Sequence, residues 1–241
     1  MLALPLLVAT AAGAAHRGVI PTPRHYEAAA GEYRIMSGAT IGYECEELRP
    51  VACYLADYMG VGVADDAHGD ITLRLDASLD REAYRLRVMT EGIVVEGGDY
   101  GGLFNGAVTL LQLLPPQVFS HALKLPASLA CCVVEDAPRF AYRGFMLDVC
   151  RHFFTVDEIK QTLDLMKEHD LNVFHWHLTD SEGWRIQIDR YPNLTTVGAV
   201  RKATKKRHTT MGLDVVEGDY GPFFYTKAQI REIVKYASER G

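Results

Sequence analysis

Strand-like and helix-like hydrophobic patterns are mixed in the first half of the chain. Ile71, Leu73 and Leu75 alternate with polar residues, which predicts a half-buried strand because side chains in a strand point to opposite faces in turn. Apolar residues at helical spacing predict helices over 45–60 and within the stretch DYGGLFNGAVTLLQLL, which Pro115 ends. Further strands are predicted at Tyr33–Ile35, Ala39–Tyr43, Tyr84–Val88, Gly92–Glu96 and Leu129–Val134. This mixture predicts a small α+β domain.

The pattern changes after Pro138. Phe145–Val149 is an almost continuous apolar run, which predicts a strand buried on both faces. Thr155–Glu158 has the residues of a capping box and predicts the start of a helix. The remaining predicted elements are a strand at Leu171–His175, a long loop over 178–225, a second capping box at Thr226–Gln229 and a helix over 227–240. This order matches the first β/α units of a (β/α)8 barrel, a fold that takes about 250 residues when complete.

The two patterns divide the chain into domains. The first 15 residues are apolar and end in small residues, as in a secretory signal, so we expect export to a secreted or periplasmic location. We expect an α+β domain over 16–138 and the start of a barrel over 139–241. No other apolar run is long enough to predict a membrane span.

Charge and cysteine content narrow the function classes. The net charge of -6 and the pI of about 5.8 disfavour a nucleic-acid partner, and the basic cluster over 201–207 is typical of a solvated loop. The five cysteines include no CxxC pair that would indicate a zinc site. We interpret all five as mostly buried small apolar residues, although an exported protein could form a disulfide.

Polar residues gather where the two predicted barrel strands end. Arg151 follows the first strand, and His175, His177 and Asp180 follow the second. Because ligands bind at the carboxyl ends of parallel strands, we expect these side chains to line a pocket. The two histidines could chelate a metal or donate hydrogen bonds, and Arg151 could bind a diol or an anion or pair with Asp148.

Two segments, RGFMLDVCRHFF and LNVFHWHLTDSEGWRIQI, closely resemble the family 20 glycoside hydrolases, the β-N-acetylhexosaminidases. The resemblance continues through Tyr191-Pro192 and Gly198-Ala199, and the helix DYGGLFNGAVTLLQLL resembles the last helix of the family's N-terminal α+β domain. It implies release of terminal β-linked N-acetylglucosamine or N-acetylgalactosamine with retention, by attack of the substrate's own acetamido oxygen. It also implies a glycan partner ending in N-acetylhexosamine and no metal or cofactor.

The resemblance implies roles for three residues. Arg151 matches the arginine that binds the terminal sugar's hydroxyls at C3 and C4, and its planar guanidinium suits a vicinal diol. Asp180 matches an acidic residue of the active-site network, and His177 lies beside it. We therefore expect Arg151, His177 and Asp180 to be substrate-binding residues, with roles in support and polarisation.

The family's catalytic Asp-Glu pair has no counterpart here. Asp157-Glu158 belongs to the predicted capping box, and Glu135-Asp136 has the reverse order and precedes the barrel. The sequence also has Cys150 where the family often has Ser, and Val200 where it often has Trp. We therefore expect a hexosaminidase fragment with no catalytic residue of its own.

Two other functions fit part of the sequence. A metal-dependent amidohydrolase also uses an HxH pair, although there the pair usually follows the first barrel strand. A non-catalytic carbohydrate-binding stub would explain why the catalytic pair is absent. Bound zinc would favour the amidohydrolase, whereas sugar binding without turnover would favour the stub.

Overall fold

The computed structural model describes residues 18–209 and 212–241, together with the side chains outside 205–217. The predicted signal over 1–15 therefore lies outside the described residues. The chain forms two compact units, Met1–Arg139 and Phe140–Gly241. No helix within the described part is long and apolar enough to cross a membrane.

The first unit is built on one mixed sheet. Within its described residues the strand order is β1-β7-β5-β6-β4-β2-β3. The strands are β1 His25–Ile35, β2 Thr40–Tyr43, β3 Gly62–Val63, β4 Ile71–Leu75, β5 Tyr84–Met89, β6 Gly92–Gly97 and β7 Ala127–Asp136, and the helices are α1 Arg49–Met59 and α2 Tyr100–Leu113. The α+β class predicted from the pattern is confirmed.

The two faces of this sheet differ in polarity. Leu73, Leu86 and Val95 are fully buried and belong to one apolar core with residues of both helices. The opposite face carries charge: Glu96 lies 2.6 Å from a guanidinium nitrogen of Arg74 and 2.9 Å from one of Arg87. The period-two alternation of the strands produces this separation because successive side chains point to opposite faces.

Helix α2 closes the core by lying very near the sheet. Its start is fixed by Asp99, whose side chain accepts a hydrogen bond from the Gly102 nitrogen at 2.8 Å. A Cβ at Gly106 would lie 2.7 Å from a Val95 methyl, so a glycine is needed for this close approach. The glycine-rich stretch is therefore explained by packing.

The second unit contains a parallel strand pair and two longer helices. Its elements are β8 Gly144–Asp148, α3 Val156–Glu168, β9 Val173–His177, β10 Thr179–Asp180, β11 Gly183–Trp184, α4 Asn193–Thr196, β12 Arg201–Thr209, β13 Gly212–Tyr220 and α5 Lys227–Ser238. Strands β8 and β9 pair in parallel with α3 between them in sequence, which is the expected β/α unit. The described residues contain no closed barrel, so the unit is a partial barrel.

Two predictions about this unit are wrong. The segment 178–225 is not one long loop, since it contains the hairpins β10–β11 and β12–β13 and the single turn α4. Strand β8 is not buried on both faces: Phe145 is 42% and Met146 53% exposed. The physical reason is that β8 pairs only with β9 within the described residues, so the apolar run lacks the neighbours of a central strand.

The cysteine prediction is correct for three residues and wrong for two. Cys131, Cys132 and Cys150 are buried, but Cys45 and Cys53 are exposed. Cys53 lies on the outer face of α1, where its neighbours Ala52 and Tyr54 point into the core instead. None of these five cysteines, all within the described residues, forms a disulfide.

Candidate functional site

Arg151 lies at the centre of a charged cluster beyond the end of β8. Its Nη1 is 2.9 Å from Asp148 Oδ2 and 2.6 Å from Asp180 Oδ2, and its Nε is 3.1 Å from Glu182 Oε2. The guanidinium is half exposed, so these ion pairs add little to stability. Their main effect is to fix the position and orientation of the guanidinium.

The turn after β8 is shaped by Asp148. One carboxylate oxygen of Asp148 accepts hydrogen bonds from the backbone nitrogens of Cys150, at 2.9 Å, and Arg151, at 3.2 Å. The other oxygen accepts from Nη1 of Arg151. Asp148 therefore holds both the backbone and the side chain of Arg151, and the ion pair considered from the sequence is present.

His177 and Asp180 reach the same cluster from β9 and β10. His177 Nε2 lies 3.0 Å from Asp180 Oδ2 and 3.3 Å from Nη1 of Arg151. We assign the Nε2 proton to the bond with Asp180, since that contact is shorter and its acceptor is charged. The prediction that the ends of the two strands bring Arg151, His177 and Asp180 together is therefore confirmed.

Asp180 is held as an anion. The backbone N–H of Ser181, the His177 side chain and the Arg151 guanidinium lower the pKa of Asp180 from 3.8 to about 2. Burial alone would lower the pKa of the Arg151 guanidinium, but the charges of Asp148, Asp180 and Glu182 raise it. Both groups are therefore charged throughout the working range of an enzyme, and Asp180 is not a proton donor there.

Three neighbouring residues of the two resembling segments, His152, His175 and Trp184, do not join the cluster. His152 packs edge-on against Phe154 with ring centroids 5.2 Å apart. His175 is exposed, and its ring centroid lies 6.1 Å from that of His177. Trp184 donates its indole N–H to the carbonyl of Ile186 at 2.7 Å. No hydrogen bond or ion pair joins His175 to the cluster within the described residues, so only His177 of the HxH pair belongs to it.

One group of potential metal ligands occurs among the described residues: Asp148, Cys150 and His177, whose ligand atoms lie within 4.8 Å of one another. Burial and the charge of Asp148 raise the pKa of the Cys150 thiol to about 11, and its Sγ lies 3.3 Å from the His177 carbonyl, which it can reach as a donor. Because thiolates and not thiols bind metals, and Arg151 already pairs with Asp148, this donor set does not favour a cation.

A buried arginine, which the sequence reasoning missed, lies beneath the cluster. Arg185 is fully buried, and its guanidinium donates to the carbonyls of Val149, Cys150, Glu182, Ala199 and Phe223 at 2.8–3.5 Å. Burial lowers the pKa of this guanidinium. Val149 and Cys150 directly precede Arg151, and Glu182 lies in the β10–β11 hairpin, so Arg185 joins the two segments that supply the cluster.

Gly183 makes room for this buried guanidinium. A Cβ at Gly183 would lie 2.2 Å from Cζ of Arg185. The sequence signal for this arrangement was a glycine, Gly183, two residues before Arg185. This spacing does not predict burial, because arginine is mostly an exposed residue. Glu182 was missed for a similar reason, because a single acid in a turn is usually solvated.

Family models match both units. The model described as glycosyl hydrolase family 20, catalytic domain, matches residues 140–241, and the model for domain 2 of the same family matches residues 16–137. A beta-hexosaminidase of Porphyromonas gingivalis is 38% identical over 92% of this chain and 29% of its own length. A beta-hexosaminidase of Vibrio furnissii is 36% identical over 96% of this chain and 37% of its own length. The chain thus spans about a third of the length of these curated relatives.

Solved structures show the same likeness. The N-acetyl-beta-hexosaminidase of Streptomyces plicatus, in complex with Thio-NAglucal, has a TM-score of 0.80 and 37% identity, covering 94% of this chain and 44% of that one. The exo beta-N-acetylglucosaminidase of Vibrio harveyi, in complex with N-acetylglucosamine, has a TM-score of 0.79 and 31% identity, covering 94% of this chain and 35% of that one.

Proposed function

The chain belongs to glycosyl hydrolase family 20, and from that premise we propose that the Arg151 cluster binds the terminal N-acetylhexosamine of a glycan. The observation that carries this proposal is the state of the guanidinium. Its Nη1 donates to Asp148 at 2.9 Å and its Nε lies 3.1 Å from a Glu182 oxygen, whereas Nη2 makes no hydrogen bond within the described residues. A fixed guanidinium with a free donor, surrounded by carboxylate acceptors, can bind a hydroxyl that both accepts and donates.

The reaction we propose for the complete enzyme is hydrolysis of terminal β-linked N-acetylglucosamine or N-acetylgalactosamine with retention. The substrate's acetamido oxygen would attack the anomeric carbon, as the family resemblance implies. The similarity to beta-hexosaminidases supports this activity, and two of the similar solved structures are complexes with N-acetylglucosamine or Thio-NAglucal. The apolar first 15 residues support export of this enzyme.

We infer that the 241-residue chain by itself binds sugar without cleaving it. Its Asp157-Glu158 pair is used for helix capping, since the Glu158 carboxylate accepts from the Thr155 nitrogen at 2.6 Å. That hydrogen bond lowers the pKa of Glu158, so the residue is an anion and a poor general acid. Because Glu158 is a poor general acid, non-catalytic carbohydrate binding is the second candidate function.

The test is titration of the chain with N-acetylglucosamine, followed by protein NMR, together with an assay on a chromogenic N-acetylglucosaminide. We expect saturable shifts in the β10–β11 hairpin, loss of binding in Arg151→Ala, unchanged binding in the exposed helix variant Arg231→Ala, and no turnover above a boiled control. Absence of binding by the natural chain would refute the sugar site. Turnover would refute only the inference that the chain is inactive.

A further inference from the structure

The segment 150–154, which presents Arg151, lies between β8 and α3 and belongs to neither a strand nor a helix. On its near side, Asp148 accepts hydrogen bonds from the first two backbone nitrogens of the segment. On its far side, the backbone nitrogen of Phe153 donates to the Tyr220 hydroxyl at 2.9 Å. Backbone polar groups outside regular structure need such partners, and here the partners are side chains. Arg151 therefore lies between two fixed points of the backbone.

Tyr220 belongs to the β12–β13 hairpin, and the base of this hairpin contacts the segment twice. Tyr220 and Arg201 face each other in the register of the hairpin, and the guanidinium carbon of Arg201 lies 3.9 Å from the centroid of the Tyr220 ring. Nη1 of Arg201 donates to the carbonyl of Cys150 at 3.4 Å. The paired residues thus contact the backbone just before Arg151 and two residues after it.

The Tyr220 hydroxyl is a rigid acceptor. A tyrosine side chain has only two rotatable angles, and ring contacts restrict both. Besides Arg201, the Tyr220 ring contacts the edge of Phe223, with centroids 4.8 Å apart, and lies 6.3 Å from the ring of His152. Within the described residues, Tyr220 forms no hydrogen bond with the side chain of Arg151. Any effect of Tyr220 on that guanidinium therefore passes through the backbone of the segment.

We propose that Tyr220 is a positioning residue of the sugar site. Its hydroxyl fixes the backbone at Phe153, and this contact keeps the Arg151 guanidinium close to the carboxylates of Asp148 and Asp180. The inference rests on the proposed function, since it concerns the same site. Tyr220 acts through the backbone and not by contact with the sugar, so the β12–β13 hairpin takes part in arranging a site to which it supplies no sugar ligand.

The experiment is an NMR titration of the natural chain and of Tyr220→Phe with N-acetylglucosamine. The variant loses only the hydroxyl and keeps the ring that stacks on Arg201. We expect the affinity for the sugar to fall about fivefold, the effect of one hydrogen bond. The amide signal of Phe153 should move because its acceptor is gone, and the Nε–H signal of Arg151 should move with it because the guanidinium is displaced.

Tyr236→Phe is the matched control. It removes a hydroxyl in the same unit that donates to Asp164 at 2.7 Å, between α5 and α3. We expect both variants to lower the thermal unfolding midpoint by a similar amount. The control should nevertheless leave the sugar affinity and the Nε–H signal of Arg151 unchanged, because its hydrogen bond holds no part of the segment 150–154. This comparison separates a role in positioning from a role in stability alone.

The outcomes also separate this inference from the proposed function. If the natural chain fails to bind the sugar, the proposed function is wrong and this inference falls with it. If the natural chain binds and Tyr220→Phe binds as tightly, the sugar site stands and the positioning role of Tyr220 is refuted. An equal loss of affinity in Tyr220→Phe and Tyr236→Phe would also refute that role, because the loss would then follow stability.

Discussion

At the scale of single residues, the buried Arg185 has the largest structural effect. A buried guanidinium without an acidic partner is costly unless its donors are satisfied. Here they are satisfied by five backbone carbonyls from separate segments. Two of these segments, Val149–Cys150 and the β10–β11 hairpin, carry the Arg151 cluster, so the geometry of an exposed site depends on a buried cation.

This arrangement predicts a large effect of a small substitution. Gly183→Ala would place a Cβ 2.2 Å from Cζ of Arg185, and the guanidinium cannot move away without losing hydrogen bonds in a buried place. We expect the free energy of unfolding to fall by about 2–4 kcal/mol. The measurement is urea denaturation followed by tryptophan fluorescence, which reports on the second unit because the only tryptophans are Trp176 and Trp184.

A neighbouring variant and a double-mutant cycle serve as controls. Ser181→Ala, in the exposed turn of the same hairpin, should change the free energy of unfolding by no more than about 1 kcal/mol. In an Arg185→Met background, Gly183→Ala should cost much less than in the natural chain, because the group that clashes is absent. Equal costs in the two backgrounds would show that the clash with Arg185 is not the cause.

The sequence predicts the polar centre of the site but not its support. Arg151, His177 and Asp180 follow strand ends, and the parallel pairing of β8 with β9 brings such positions together in any α/β fold. Glu182 and Arg185 have no such positional rule. Their roles depend on the shape of the β10–β11 hairpin and on carbonyls from Ala199 and Phe223, which are distant in sequence.

At the scale of the elements, local hydrogen bonding fixes where the helices of the second unit begin. Both predicted capping boxes are confirmed: Thr155 with Glu158 opens α3, and Thr226 with Gln229 opens α5. These signals are readable from sequence because the partners are three residues apart. The hairpins within 178–225 were not predicted, since their segments lack a clear alternating pattern.

The capping box of α3 gives a prediction at this scale. Thr155→Ala removes the hydroxyl that accepts from the Glu158 nitrogen, so the free energy of unfolding should fall by about 1 kcal/mol. Thr162→Ala, inside the same helix, should be neutral or slightly stabilising because alanine is the better helix former. Urea denaturation followed by tryptophan fluorescence measures both variants. A larger loss in Thr162→Ala than in Thr155→Ala would contradict this account of where α3 gains its stability.

At the scale of the whole molecule, the two units differ in how completely they bury their apolar residues. The first unit has a continuous core of fully buried side chains, with Ile41, Leu55 and Leu111 among them. In the second unit the strand residues Phe145 and Met146 stay exposed, and β8 and β9 each have an edge that no described strand pairs with. Exposed apolar strand edges favour pairing between molecules.

We therefore expect the 241-residue chain to self-associate through the β8–β9 pair. The mass measured by size-exclusion chromatography with light scattering should rise with protein concentration. Met146→Lys should reduce this rise, because a charge on an exposed strand disfavours edge-to-edge pairing. Val234→Lys changes a similarly exposed apolar residue on α5 and should leave the association as it was. A monodisperse monomer at every concentration would refute the prediction, and an equal effect of both lysines would show that association does not depend on the strand edge.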